Sequence, residues 1–191
     1  MINFKQDIEK ALDVLKRGGL ILYPTDTIWG IGCDATNAEA IEKVNQLKGR
    51  TKDKNLIILL DNDNNLSSYV REIPDVAYEL IEYSEKPLTI IYSGAKNLAP
   101  NLTAEDGSIG IRIVKNDFCE ELIRRFRKPI VSTSANFTNN PAPKTFSEID
   151  PGIIEGVDYV VQYQQEDMQE HSASTIIKLG PSGQFELIRK T

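Results

Sequence analysis

The sequence predicts a mixed α/β fold, a sheet with helices packed on it, and three observations carry that prediction. Helical and strand-like segments alternate through the first part of the chain, and strands cluster towards its end. Residues 56–60 form an unbroken apolar run, the pattern of a strand covered on both faces.

In chain order, Ile8, Ala11, Leu12 and Leu15 recur at helical spacing across residues 7–16, and Gly18-Gly19 ends that run as a C-cap does. Residues 20–23 form a short apolar strand stopped by Pro24. Thr36-Asn37-Ala38-Glu39 has the form of a capping box, and Ile41, Val44 and Leu47 continue one helical stripe that Gly49 closes. After the strand at 56–60, residues 76–81 read as a helix, 88–92 and 109–114 as strands, 118–126 as a helix and 129–132 as a strand. Three further strands fall at 159–163, 175–179 and 185–188, and the glycines at 180 and 183 favour pairing the last two as a hairpin. The stretch 136–144, rich in Asn and Pro, and the polar run 162–172 read as flexible loops.

A length of 191 residues fits one domain spanning 1–191, and a hydrophobic fraction of 40% with 26% charged residues is that of a soluble globular protein. No apolar run reaches the ~18 residues of a membrane span. The first residues are polar and mixed in charge, unlike a secretory signal. Cys33 and Cys119 follow no metal-ligand spacing and sit among apolar residues, which predicts buried thiols in a reducing, cytoplasmic compartment. A net charge of −6 argues against a surface that grips nucleic acid everywhere, but leaves room for a local basic groove.

Three stretches carry candidate chemistry. Lys48, Arg50, Lys52 and Lys54 stand at alternate positions, so an extended chain would point all four to one side. The run is either a solvated loop or an anion site at the entrance to the 56–60 strand, where α/β sheets gather ligands. Ser132-Thr133-Ser134-Ala135-Asn136 follows a strand directly; its hydroxyl and amide groups suit either turn chemistry or contacts to phosphate, carboxylate and base. Tyr23-Pro24-Thr25-Asp26-Thr27-Ile28-Trp29-Gly30-Ile31-Gly32 places two threonines and an aspartate at a strand exit, with glycines that serve either a turn or close backbone approach to a ligand. There is no Walker loop, no G-x-G-x-x-G and no G-x-S-x-G elbow, and the single histidine, His171, has no motif around it.

Taken together, Tyr23 to Thr27, Lys48-Gly49-Arg50 and Ser134-Ala135-Asn136 resemble, in order and spacing, the YrdC-like threonylcarbamoyl-AMP synthases. Ser108-Ile109-Gly110-Ile111-Arg112, Ser174-Thr175-Ile176-Ile177 and Leu187-Ile188-Arg189 extend the resemblance over almost the whole chain. It implies a YrdC-like twisted mixed sheet whose concave face holds ATP and L-threonine. It also implies the reaction of threonine, bicarbonate and ATP to threonylcarbamoyl-AMP and pyrophosphate, with Mg²⁺ accompanying ATP. The product serves the N6-threonylcarbamoyl modification of adenosine 37 in tRNA, so a tRNA contact and a downstream threonylcarbamoyl-transferase complex are the implied partners. Matched position by position, Arg50, Lys54, Ser108, Asn136 and Arg189 face ATP, Thr27, Arg112, Ser134 and Ser174 face threonine, and Lys48 with Arg50 supports the triphosphate and catalysis. Thr51 stands where the family has proline after K-x-R, Ala173 where proline precedes the serine, and Asn139-Asn140 where Ser-Gly is frequent.

The residues also bear on the chemistry directly. Period two sends Ser108 and Arg112 to one face of their strand and Ile109, Ile111 and Ile113 to the other. Arg112 is open to two readings, an ion pair with Glu105 or Asp106, or a fork that grips a carboxylate. Lys, Arg, Thr, Ser and Asn suit a reaction run by positioning and charge stabilisation without a protein nucleophile, and no dedicated carboxylate cage for a metal is visible. The competing readings are an RNA-binding module on the same fold, against which as sole function a net charge of −6 and 7% aromatic residues argue, and a paralogue that has lost S-x-N, which is intact here. A nucleotidyltransferase of another kind would want paired metal-binding carboxylates.

Overall fold

The computed structural model describes residues 4–49 and 56–191. In chain order it contains α1 (Lys5–Lys16), β1 (Ile21–Tyr23), β2 (Gly30–Gly32), α2 (Ala38–Lys48), β3 (Ile57–Leu60), α3 (Leu66–Tyr69), α4 (Val76–Tyr83) and β4 (Leu88–Tyr92). There follow β5 (Ile109–Ile113), α5 (Asp117–Phe126), β6 (Ile130–Ser134), α6 (Pro151–Glu155), β7 (Tyr159–Val160), β8 (Thr175–Leu179) and β9 (Phe185–Arg189). The strands form one mixed sheet in the order β7-β1-β2-β6-β3-β5-β4-β8-β9. β3 pairs parallel with β5, β4 with β8 and β1 with β7, and the remaining neighbours run antiparallel. The mixed α/β fold expected from the sequence is the fold observed.

Local signals account for most of the boundaries. Ile8, Ala11, Leu12 and Leu15 are all buried on α1, and the chain leaves the helix through Gly18 at φ 70°, a left-handed position suited to glycine. α2 ends at Gly49, φ 61°. Its start differs from the expected capping box. Asn37 is the cap, accepting from the amides of Glu39 and Ala40 at 3.0 and 3.1 Å, because the Thr36 hydroxyl is bound to Asp34 at 2.6 Å. Asn116 caps α5 and Asp150 caps α6, where Pro151 occupies the first turn. The late hairpin forms as expected, with Gly183 at φ 85° in its turn. Two strands differ from the sequence reading: β2 is so short and glycine-rich that it carries no periodicity, and the strand expected over 159–163 stops at Val160.

The two faces of the sheet are covered unequally, and that positions the site. One face is apolar along its length: Leu22, Ile31, Ile58, Ile90, Ile111, Val131 and Ile177 belong to a single core with residues of α2 and α4. The opposite face is sealed at only one end, where α1 and α5 bury Ile8, Leu15, Phe118 and Leu122 against Ile21, Tyr23, Leu59 and Ile130. Each such side chain contributes about 1.5–3 kcal/mol on burial. Asp7, also buried, binds this layer to the chain after β7: it accepts from Tyr159 Oη at 2.5 Å and from the amides of Gln162 and Tyr163 at 3.1 and 2.9 Å. The remainder of that face is left open.

Candidate functional site

On the open part of the face lies a cavity of about 200 Å³ lined from six strands and the loops that lead into β2 and β8. Its floor is made of small or polar side chains at alternate positions. Ser134 pairs with Gly30 across β6 and β2, Ser132 with Ile57 across β6 and β3, and Thr89 with Arg112 across β4 and β5. The room depends on missing side chains: a Cβ on Gly30 would lie 3.1 Å from Ser132 Oγ, and one on Gly110 would lie 2.8 Å from Ile57 Cγ2. Trp29, buried and packed at 4.8 Å between ring centres on Phe146, forms a wall.

Five residues singled out in the sequence converge here: Thr27, Arg112, Ser134, Ser174 and Arg189 all line the cavity. Arg112 leaves solvent almost completely, at 3% exposure, and its partner is Asp26, with Nε 3.1 Å from Oδ1. The pairing with Glu105 or Asp106, one of the two readings open to Arg112, does not form. Asp106 precedes the other end of β5, where it binds Lys178 at 3.0 Å and accepts from the Ser108 amide at 3.0 Å. The Ser108 hydroxyl and Lys178 hold the Asp106 carboxyl at about 2, below the usual carboxylate range. The Thr25 hydroxyl stands 2.9 Å from that of Thr27, takes the Thr27 amide at 3.0 Å and lies 3.4 Å from Arg112 Nη2. Ser174 and Thr89 share a buried hydroxyl contact of 2.7 Å.

Arg189 reaches the cavity by a different route. Leu187 pairs with Ile177, whose side chain is in the apolar core, and Arg189 pairs with Ile176, which lines the cavity. Between them the register shifts, leaving Ile188 as the extra residue of a β-bulge. In a regular strand Leu187 and Arg189 would share a face; the bulge turns the arginine over to the open one. There Nε and Nη2 donate to the Ser174 carbonyl at 3.0 and 2.8 Å. Burial, and then the nearby charge of Arg112, push the Arg189 guanidinium below its ordinary pKa.

Other predicted site residues are placed elsewhere. Lys48 does not belong to an extended row of cations, since it is the last residue of α2 and only 1% exposed. Its ammonium donates to the carbonyls of Ser134 and Asn136, both at 2.5 Å, so it holds the S-x-N turn from beneath, and burial removes it from any tRNA-contacting surface. Asn136 gives its amide hydrogens to the carbonyls of Phe137 and Asn140, at 3.0 and 2.7 Å, and its buried Oδ1 has no hydrogen-bond partner among the described residues. Ser108 is buried at the start of β5, outside the cavity lining. Arg50, Lys52 and Lys54 lie outside the described residues. The two loops read as flexible are joined to each other by Lys144 and Glu170 at 2.8 Å. His171 sits beside Asp167 at 3.3 Å, in a narrow crevice next to Thr25 and Thr27.

The sequence reading missed Asp26 as a partner of Arg112 and Ile57 as lining, and it held Trp29 and Ser132 within its candidate stretches without giving either a role. Ser132 was within reach, because it and Ser134 occupy alternate positions of one strand. Ile57 carries no signal inside an aliphatic run. Cys33 and Cys119 are free and buried as expected, and burial pushes both thiols up. No helix among the described residues is long and apolar enough to cross a membrane.

Comparison with known proteins agrees with this geometry. The Sua5/YciO/YrdC family model, which carries the description "Telomere recombination", matches residues 13–191. The threonylcarbamoyl-AMP synthase of Photobacterium profundum is 31% identical over 159 residues, covering 82% of this chain and 86% of the relative. That of Pseudoalteromonas translucida is 32% identical over 157 residues, 81% and 84% of the two chains. Among solved structures, P. abyssi Sua5 complexed with L-threonine superposes with a TM-score of 0.83 at 23% identity, over 94% of this chain. The present chain spans about half of that longer protein, 52%. E. coli YciO gives a TM-score of 0.83 at 22% identity, over 97% of this chain and 89% of the other. At these identities the two structures speak for the fold.

Proposed function

Because this chain belongs to the Sua5/YciO/YrdC family, we propose that it makes L-threonylcarbamoyl-AMP from L-threonine, bicarbonate and ATP, as a nucleotidyltransferase acting ahead of tRNA N6-threonylcarbamoylation. The observation that carries the reading is the convergence of Thr27, Arg112, Ser134, Ser174 and Arg189 on one cavity. Two guanidiniums and three hydroxyls suit an amino acid with a carboxylate and a hydroxyl, beside an anionic co-substrate.

The threonine amine adds to bicarbonate with loss of water, and the resulting carbamate oxygen attacks the α-phosphorus of ATP. Pyrophosphate leaves, and a carbamic–phosphoric anhydride remains. Neither step forms a bond to the protein, so the residues act by holding and by charge. In this reading Arg112 receives the threonine carboxylate through its terminal nitrogens, with Thr27, Ser134 and Ser174 around the rest of the amino acid. Arg189 and the side-chain Oδ1 of Asn136 face ATP, joined by Arg50 and Lys54. Lys48 acts through Ser134 and Asn136, whose carbonyls it holds.

The described residues include no group of three His, Cys, Asp or Glu side chains that could hold a metal ion, and Asp26 is engaged by Arg112. These residues do not make a Mg²⁺ cage; Mg²⁺ would enter as the counter-ion of ATP, bound by its phosphates.

The test is pyrophosphate release from ATP by the purified chain. Release that requires both L-threonine and bicarbonate is expected; equal release without threonine overturns the assignment. The intact Ser134-Ala135-Asn136 turn, clamped by Lys48, favours a synthase over a paralogue lacking S-x-N.

A further inference from the structure

We infer that Asp26 is a positioning residue that sets the carboxylate selectivity of the cavity by fixing which edge of the Arg112 guanidinium faces it. The inference rests on the reading of Arg112 as the receptor for the threonine carboxylate. Asp26 does not line the cavity; it acts through the arginine.

A guanidinium offers two edges to a carboxylate, the Nε–Nη edge and the terminal Nη–Nη edge, and an unconstrained arginine can use either. Here the first is engaged by the protein. Nε lies 3.1 Å from Asp26 Oδ1 as an ion pair, neither atom having a hydrogen-bond partner among the described residues, and Nη2 lies 3.4 Å from the Thr25 hydroxyl. Nη1 has no hydrogen-bond partner among the described residues and lies on the terminal edge. Both side chains of the ion pair are withdrawn from water, at 4% and 5% exposure, so screening is weak and the carboxylate holds the fork in place.

Asp26 is itself held. It lies between Thr25 and Thr27, whose hydroxyls contact one another, and its Oδ2 is 3.4 Å from the Lys115 amide just beyond β5. The loop after β1 is thereby tied to the strand that carries the arginine. Asp26 also supplies the negative charge that lets two guanidiniums, Arg112 and Arg189, line one small cavity before any anion arrives. A ligand with a carboxylate then completes the charge balance, and a neutral analogue of the same shape does not.

The experiment compares L-threonine with L-threoninamide, which lacks the carboxylate, by calorimetric titration of wild type and Asp26→Asn. Wild type is expected to favour threonine. Asp26→Asn should weaken threonine about tenfold or more, as loss of an oriented charge-assisted contact does, and leave threoninamide within about twofold. Equal weakening of both ligands would reduce Asp26 to a structural role, and unchanged threonine affinity would remove it altogether. Asp26→Glu keeps the charge one methylene further out and serves if the asparagine variant does not fold; selectivity should again fall, and unchanged selectivity overturns the inference. The titration is independent of turnover. A wild-type protein that binds threonine selectively but releases no pyrophosphate refutes the proposed reaction and leaves this inference standing.

Discussion

The two arginines of the cavity are built into the sheet in opposite ways. Arg112 sits on β5, in the interior of the sheet, buried and paired with a buried carboxylate. Arg189 sits on β9, the edge strand, where the backbone is exposed and a bulge turns the side chain inward to a carbonyl. The interior arginine is part of what holds the loop after β1 onto the sheet, so its removal disturbs fold and function together. Among the described residues the hydrogen bonds of the edge arginine go to Ser174, just before β8, so its removal should touch function and little else. Placement in the sheet thus decides whether a binding residue can be changed independently of stability.

The largest effect that would break this contrast comes from Arg112→Ala. It leaves Asp26 buried without a counter-charge, which should lower stability by about 3–5 kcal/mol in urea denaturation and abolish threonine-dependent turnover. Near-wild-type stability would mean that the buried pair is not structural. Arg189→Ala is the complement. Its loss of hydrogen bonds to the Ser174 carbonyl should lower stability by only about 1 kcal/mol while weakening ATP by roughly tenfold. A large fall in melting temperature would erase the distinction between interior and edge.

Deleting Ile188 sharpens the edge half of the comparison. The deletion makes Leu187 and Arg189 neighbours that alternate across a regular strand, so Arg189 keeps the cavity face without the bulge, and ATP affinity should stay within about threefold of wild type. A fall as large as that of Arg189→Ala would show that the face assigned by the register does not decide where the arginine reaches. The smallest effect concerns Asp106, the acid first considered for Arg112. Its carboxyl is depressed to about 2, so it stabilises the fold above the unfolded-state carboxylate pKa of ~4, and this contribution fades as the pH falls through about 2. Asp106→Asn should flatten that acid limb slightly. The pair with Lys178 is exposed and worth under ~1 kcal/mol, and a larger change would place Asp106 in a buried network it does not join.

How much was legible follows from the range of each signal. The period of α1, the glycine after α2, the apolar run of β3, the alternation along β5 and the β8–β9 turn are all written within a few residues, and each appears in the structure. The capping of α2 was one residue off because the competing acceptor for Thr36, Asp34, lies in the preceding turn. β2 was invisible because three residues with two glycines have no pattern to read, yet it is the strand that brings Gly30 beside Ser134.

By itself the sequence determined the fold class, the helix and strand periods, the polar face of β5 and the set of polar residues available for a site, because these depend on local backbone preferences and side-chain alternation. Only the tertiary structure decided that Arg112 meets Asp26, that Lys48 lies beneath the S-x-N turn, and that a bulge at Ile188 turns Arg189 into the cavity. Each of those contacts joins segments far apart in the chain, and strand order and register choose among partners that composition alone leaves equivalent. A carboxylate near Arg112 was required by the cost of burying its charge; which carboxylate was a matter of where β5 ends.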